Sequence, residues 1–193
     1  MDRRLYLITP ARSELARFLE ASVQGGVDIV QIRDKTLGDA DLLAVLETAR
    51  DLTRRLGVPL VVNDRPDLAM LVEADYVHLG QDDLPVAAAR RLGLRVGQST
   101  HARAELDRTD ADYAGVGPVY ATPTKEGRPA VGLELVAYAA THTHVPWFAI
   151  GGIDTSNAAE VVAAGAERIA VVRAIGDAPD PERAAAQLRA ALR

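Results

Sequence analysis

Residues 28–63 read DIVQIRDKTLGDADLLAVLETARDLTRRLGVPLVVN. Asp28 to Arg33 and Pro59 to Asn63 are short apolar runs rich in β-branched residues. Between them, Asp39 to Leu56 is an Ala/Leu-rich amphipathic stretch with Asp39 at its start and Gly57 just past its end, the signals of a helix. The two runs are continuously apolar rather than alternating, which suits strands buried on both faces of a parallel sheet covered by helices. The alternation continues outward in both directions. Further runs lie at Leu5 to Thr9, Tyr76 to Gly80, Arg95 to Thr100, Tyr113 to Tyr120, Pro146 to Ile150 and Arg168 to Ile175, eight in all. Helical stretches lie at Ser13 to Gln24, Leu84 to Leu92, Leu133 to Thr141, Asn157 to Ala164 and Pro181 to Leu192, with Ser13, Ser156 and Asp180 as further N-cap or first-turn residues. Eight βα units of about 24 residues predict an α/β fold, a compact (β/α)8 TIM barrel. An open doubly wound sheet usually has five or six strands.

The 193 residues carry no linker, charge block or low-complexity stretch, so residues 1–193 are expected to form a single domain. Hydrophobic residues make up 48% and charged residues 25%, which excludes the disordered class. A net charge of −5 offers no global attraction to nucleic acid or anionic membrane. No apolar run approaches the roughly 20 residues of a membrane span, and the N-terminal stretch lacks the pattern of a signal peptide. A cytoplasmic protein is the expectation, and the sequence leaves open a homo-oligomer. The absence of cysteine removes thiolate catalysis and thiolate metal sites. Of the 22 basic residues only two are lysines, Lys35 and Lys125.

In such a barrel, chemistry belongs at the C-terminal ends of the strands. Gln31, Arg33 and Lys35 sit at i, i+2 and i+4 and share one face if the strand continues through them. Charges turned into the barrel need a partner, and an anionic ligand would supply one. The competing reading ends the strand before Arg33 and leaves the charges solvated. Asn63-Asp64 and Asp82-Asp83 follow neighbouring strands. Their carboxylates can share a hard cation such as Mg2+ together with substrate phosphate, or else cap helices. Gly151-Gly152 and Val172-Arg173 follow the last two strands, a region that cups phosphate in many barrels. Ala121 to Gly132 is the longest loop and carries Thr122, Thr124 and Lys125, the makings of a lid. No G-x-S-x-G elbow, Walker loop or G-x-G-x-x-G follows a strand, and His142 and His144 lack a third metal ligand nearby.

Seven pieces in order carry a family resemblance: Leu5 to Thr9, Val30-Gln-Ile-Arg-Asp-Lys35, Val62-Asn-Asp-Arg65, Val77-His-Leu-Gly-Gln-Asp-Asp83, Val96-Gly-Gln-Ser-Thr-His101, Asp112 to Lys125, and Ala149-Ile-Gly-Gly-Ile153. Together they resemble the thiamine phosphate synthase/thiazole tautomerase family over nearly the whole chain, with the synthase as the match. The resemblance implies a Mg2+-dependent transferase of thiamine biosynthesis on a TIM barrel. It would join hydroxymethylpyrimidine diphosphate to hydroxyethylthiazole phosphate and release pyrophosphate. It implies that Gln31, Arg33, Lys35 and Asn63 bind the pyrimidine diphosphate, that Asp64 and Asp83 hold Mg2+, and that Ser99 and Lys125 contact the pyrophosphate. Thr122, Thr124, Gly152, Val172 and Arg173 would surround the thiazole phosphate. Arg33, Lys35, Ser99 and Lys125 are then the catalytic candidates. Two positions depart from the family pattern: Asp34, where Glu is frequent, and Arg173, where a small Ser is common. A guanidinium at position 173 either binds the anion bidentately or turns away and leaves only its backbone N–H. A thiazole tautomerase of the same family and a catalytically silent barrel that binds the precursors are the competing readings.

Overall fold

The computed structural model describes residues 2–122 and 129–192. Eight parallel strands close on themselves in sequence order: β1 (Leu5–Thr9), β2 (Ile29–Ile32), β3 (Leu60–Asn63), β4 (Tyr76–Leu79), β5 (Val96–Thr100), β6 (Tyr113–Val116), β7 (Trp147–Ile150) and β8 (Ile169–Val171). Around them run α1 (Leu15–Gln24), α2 (Asp39–Leu56), α3 (Pro66–Leu71), α4 (Val86–Arg91), α5 (Arg103–Arg108), α6 (Gly132–His142), α7 (Ala158–Ala163), α8 (Arg173–Gly176) and α9 (Pro181–Ala191). This is the (β/α)8 barrel that the alternation predicts.

Several boundaries differ, each for a local reason. β2 stops at Ile32, so Arg33 and Lys35 follow the strand instead of continuing it. β6 stops at Val116, well short of Tyr120, because Pro118 has no N–H to offer the ladder. The last run splits: Ile169–Val171 is strand, whereas Arg173–Gly176 is a helical turn. Of the expected caps only Asp180 accepts a first-turn N–H, from Arg183 at 3.0 Å. Glu14, Gly38 and Asn157 occupy the cap positions of α1, α2 and α7; Asp39 stands in the first turn of α2, at the start of the helix as read from the sequence, whereas Ser13 and Ser156 precede the caps. The six-residue helices α3 and α5 are not legible in the sequence because, unlike α4 and α7, they bury no apolar pair at i, i+3, only Leu68 with Ala69 and Leu106.

Strand side chains alternate between two cores. Leu5, Leu7, Val30, Leu60, Val62 and Val77 point outward under the helices. Tyr6, Ile8, Ile29, Val61, Tyr113 and Phe148 point into the bore. There the aromatic rings meet edge to face, Tyr6 and Phe148 at 5.1 Å between centroids and Tyr113 and Phe148 at 5.6 Å. Such pairs add about 0.5–1.5 kcal/mol each beyond area burial. At the opposite end from the site, three aspartates pin the register. Asp28, Asp75 and Asp112 each stand just before a strand and accept the first N–H of the strand before it: Leu5 at 3.0 Å, Leu60 at 2.8 Å and Val96 at 2.8 Å. Without these carboxylates those edge donors would lack protein partners.

Gly97 of β5 faces the Tyr113 ring so closely that a Cβ at that position would overlap it. Gly97→Ala is therefore expected to destabilise the protein by about 1–3 kcal/mol, read as a lower midpoint in denaturant titration. An unchanged midpoint would show that the ring has room to move.

Candidate active site

The C-terminal strand ends surround a cavity of about 550 Å³. The wall over β2 and β3 is charged. Gln31, in the strand, is 1% exposed and points inward. Arg33 and Lys35 lie beyond its end and reach the rim of the same cavity. Asn63 ends β3, and Asp64 follows it with φ of 59°, a left-handed conformation that Asp tolerates better than most residues. Lys35 Nζ stands 2.8 Å from Asp64 Oδ2. The ammonium thus takes a protein carboxylate as its partner, where the sequence suggested an anionic ligand. Burial pushes the Asp64 pKa up, but the Lys35 hydrogen bond and charge, with smaller help from Asp83 and Asn63, outweigh it and hold the carboxyl below its ordinary value.

Asp83 does not cap α4, whose cap position is Pro85. Its Oδ2 accepts the Gly80 N–H at 2.6 Å, closing a tight turn after β4 whose residues line the cavity. Asp64 and Asp83 therefore both border the cavity. Among the described residues no group of three or more His, Cys, Asp or Glu side chains could hold a metal ion. Two hard carboxylates fit the other arrangement, in which Mg2+ takes one or two protein oxygens and completes its octahedron with water and substrate phosphate.

Ser99, on β5, meets His78 of β4, with Nε2 to Oγ at 2.9 Å. This looks like a nucleophile and its base, but His78 Nδ1 faces the Tyr113 hydroxyl at 3.0 Å, so the orienting carboxylate of a hydrolase triad is replaced by a neutral group. Gln81 donates to the Ser99 carbonyl at 2.7 Å and braces the same strand end. Across the cavity, Gly151 and Gly152 follow β7 with φ of 102° and 65°, a backbone path suited to glycine. They share that wall with Thr122, Val172 and Arg173. Arg173 is exposed at the first turn of α8. Thr124 and Lys125 lie outside the described residues.

Of the residues singled out in the sequence, Gln31, Arg33, Lys35, Asn63, Asp64, Asp83, Ser99, Thr122, Gly152, Val172 and Arg173 all border this one cavity. Missing from that set are Tyr6, Tyr113 and the pairing role of His78. Alternation along the strands turns Tyr6 and Tyr113 inward like Gln31, but it carries no signal for which groups they pair with.

A family model described as thiamine monophosphate synthase matches residues 5–175. The chain is 56% identical over 200 residues to the thiamine-phosphate synthase of Thermobifida fusca, covering 98% of this chain and 92% of that one. To the thiamine-phosphate synthase of Streptomyces avermitilis it is 50% identical over 203 residues, covering 100% and 94%. Among solved structures, a thiamine phosphate pyrophosphorylase from Pyrococcus furiosus superposes with a TM-score of 0.88 at 32% identity, over 98% of this chain and 95% of that one. A 3-hexulose-6-phosphate synthase, with a TM-score of 0.70 and 22% identity over 98% of this chain and all of that one, shares the fold. No helix among the described residues is long and apolar enough to cross a membrane.

The Lys35–Asp64 pair yields a pH expectation. A carboxyl with a lowered folded pKa stabilises the fold above its unfolded value of about 3.9 and loses that contribution as pH falls through the folded value. Lys35→Met is expected to shift the Asp64 carboxyl titration, followed by 13C NMR, to higher pH. An unmoved midpoint would mean that Lys35 is not the cause.

Proposed function

The chain belongs to the thiamine monophosphate synthase family, and from that premise we propose that it condenses hydroxymethylpyrimidine diphosphate with hydroxyethylthiazole phosphate, giving thiamine monophosphate and pyrophosphate. The observation that carries this reading is the placement of two cations, Arg33 and Lys35, beside two carboxylates, Asp64 and Asp83, on one rim of the cavity. A departing diphosphate calls for that combination, because negative charge builds on its oxygens as the bond breaks.

The exocyclic C–O bond of the pyrimidine substrate breaks with its electron pair going to pyrophosphate. The carbocation left behind is stabilised by the electron-rich aminopyrimidine ring. The thiazole nitrogen donates its lone pair and forms the new C–N bond. That nitrogen carries no proton, so no general base is required, in keeping with the neutral Tyr113 hydroxyl that faces His78 Nδ1. Arg33 and Lys35, with Lys125 assigned by resemblance, bind the diphosphate oxygens. Mg2+ held through Asp64 and Asp83 would neutralise further charge on the same oxygens. Gln31, buried at the cavity floor, offers an amide to the pyrimidine, and Asn63 stands beside it at the end of β3. Gly152, Val172, Arg173 and Thr122, with Thr124 by resemblance, cup the thiazole phosphate on the opposite wall. The protein's work is orientation, electrostatic stabilisation and exclusion of water from the cation.

Incubation with both precursors and Mg2+, with pyrophosphate as the readout, tests the reading. Release that requires both precursors supports it. Thiazole isomerisation alone would make the chain a tautomerase, and binding without turnover would make it a silent barrel. Asp64→Ala and Asp83→Ala are each expected to lower turnover by about 10²-fold, and Lys35→Arg and Lys125→Arg to impair it as well, since a planar fork replaces a compact ammonium. Arg173→Ser is expected to raise the KM for the thiazole phosphate about fivefold, the loss of one charge-assisted hydrogen bond. An unchanged KM would show that the guanidinium points away.

A further inference from the structure

We infer that Gln31, Tyr6, Tyr113, His78 and Ser99 form one directional hydrogen-bond relay across the bore, in which Tyr113 is a positioning residue that holds the His78 proton on Nε2. The links are continuous. The Gln31 amide N–H donates to the Tyr6 hydroxyl, which stands 2.9 Å from the Tyr113 hydroxyl. Tyr113 in turn lies 3.0 Å from His78 Nδ1, and His78 Nε2 lies 2.9 Å from Ser99 Oγ.

The direction follows from proton counting. A phenol has one proton to donate. Tyr6 accepts from Gln31, so its own proton goes to Tyr113. Tyr113 accepts from Tyr6, so its proton goes to His78 Nδ1. An imidazole that accepts at Nδ1 is the neutral tautomer with its proton on Nε2, and that proton goes to Ser99. Ser99 therefore meets its cavity-side partner as a donor. Burial raises the pKa of both tyrosines, which keeps them neutral and keeps every link a hydrogen bond rather than an ion pair.

The relay has consequences for two walls of the cavity at once. Gln31 and Ser99 border the cavity, whereas Tyr6 and Tyr113 lie beneath it, fully buried. If the Gln31 amide turned over, its carbonyl would accept from Tyr6. Every proton downstream would then reverse, and Ser99 would donate to His78 instead. The orientation of one amide thus sets the polarity of a hydroxyl on the far strand. Buried chains of this kind polarise their members and favour one arrangement. In terms of the reaction proposed above, on which this last step rests, an aminopyrimidine that selects one Gln31 orientation also sets Ser99 as a donor toward the diphosphate.

The direct test is the 15N NMR signature of the His78 ring in the wild-type protein, assigned by its disappearance in His78→Asn. The relay requires the Nε2–H tautomer, and a proton found on Nδ1 would overturn it. Tyr113→Phe removes the central hydroxyl while retaining the ring that packs on Tyr6, Tyr76 and Phe148. In that variant the ring shifts of His78 are expected to move toward a tautomer mixture. Its kcat is expected to fall about fivefold to tenfold with KM within about twofold, the scale of one lost buried hydrogen bond. Tyr6→Phe, which breaks the chain one link earlier, is expected to give a smaller change in the same direction, and it decides the matter if Tyr113→Phe fails to fold. Ring shifts that stay put in the folded variants overturn the relay even if turnover drops. Ring shifts that move in a protein with no synthase turnover leave the relay standing and reject the reaction.

Discussion

A side chain that points into a closed eight-stranded barrel, below the cavity at its open end, finds its hydrogen-bond partners chiefly among the other side chains in the bore. The constraint is strict because the strands satisfy one another's backbone all the way round, leaving no edge through which the interior could be solvated. An unpaired buried polar group costs about 1–3 kcal/mol. Placing Gln31 on the inner face of β2 therefore obliges a partner, and Tyr6 on the neighbouring strand supplies it. Tyr6 hands the obligation to Tyr113, and Tyr113 to His78, which reaches the cavity wall at Ser99. The same tyrosine rings provide the edge-to-face packing that fills the bore. Apolar filling and polar satisfaction are thus performed by the same side chains.

Charge follows a different rule from neutral polarity in this barrel. The inward positions within the strands carry amide, hydroxyl and imidazole groups, while full charges begin where the strands end. Arg33 and Lys35 stand after β2, Asp64 after β3 and Asp83 after β4. Ending β2 at Ile32 is what separates Gln31 from the cations two and four residues on. Ionised groups inside the bore would face a desolvation penalty of several kcal/mol each. On the rim they remain available to a charged substrate. At the opposite end of the barrel Asp28, Asp75 and Asp112 serve the fold, capping the first N–H groups of β1, β3 and β5.

The parts of this arrangement that were legible in the sequence are those with a strong local signal. Eight apolar runs separated by amphipathic stretches are enough to specify a closed parallel barrel, and the polar residues at the ends of those runs come together around one cavity. The i, i+2, i+4 spacing of Gln31, Arg33 and Lys35 was informative about their shared cavity but misled about the strand, which stops after Ile32. Alternation describes direction only while the backbone stays extended. The Lys35–Asp64 pair was invisible because it joins loops after two different strands, and no local pattern encodes which cation meets which carboxylate. The Asp83 bond to Gly80 is a tight turn whose Asp could as well have opened the next helix. The tyrosine chain escaped notice because in sequence Tyr6 and Tyr113 look like ordinary β-formers. Only the register, which brings β1, β2, β4, β5 and β6 around one bore, turns them into partners of Gln31, His78 and Ser99.

The scarcity of lysine acquires a physical meaning from the same geometry. The other twenty basic residues are arginines, and away from the cavity guanidinium forks suit the carboxylates they meet, as in Arg65 with Asp67 and Asp39. Lys35 holds a different position. Its side chain is 59% exposed, and its ammonium rests on Asp64, the carboxylate to which the proposed reaction assigns Mg2+. A cation arriving at Asp64 would compete with the ammonium for the same oxygens, and a diphosphate arriving with it would offer the ammonium a new partner nearby. A point charge on a flexible four-carbon stem can make that exchange by bond rotation alone. A guanidinium engaged through a planar, two-pronged contact would have to break paired hydrogen bonds to do the same. The contact between Lys35 and Asp64 sets one mobile positive and one negative charge side by side on the rim, and each matches in sign a charge that the proposed reaction would bring there, the ammonium that of Mg2+ and the carboxylate that of the diphosphate.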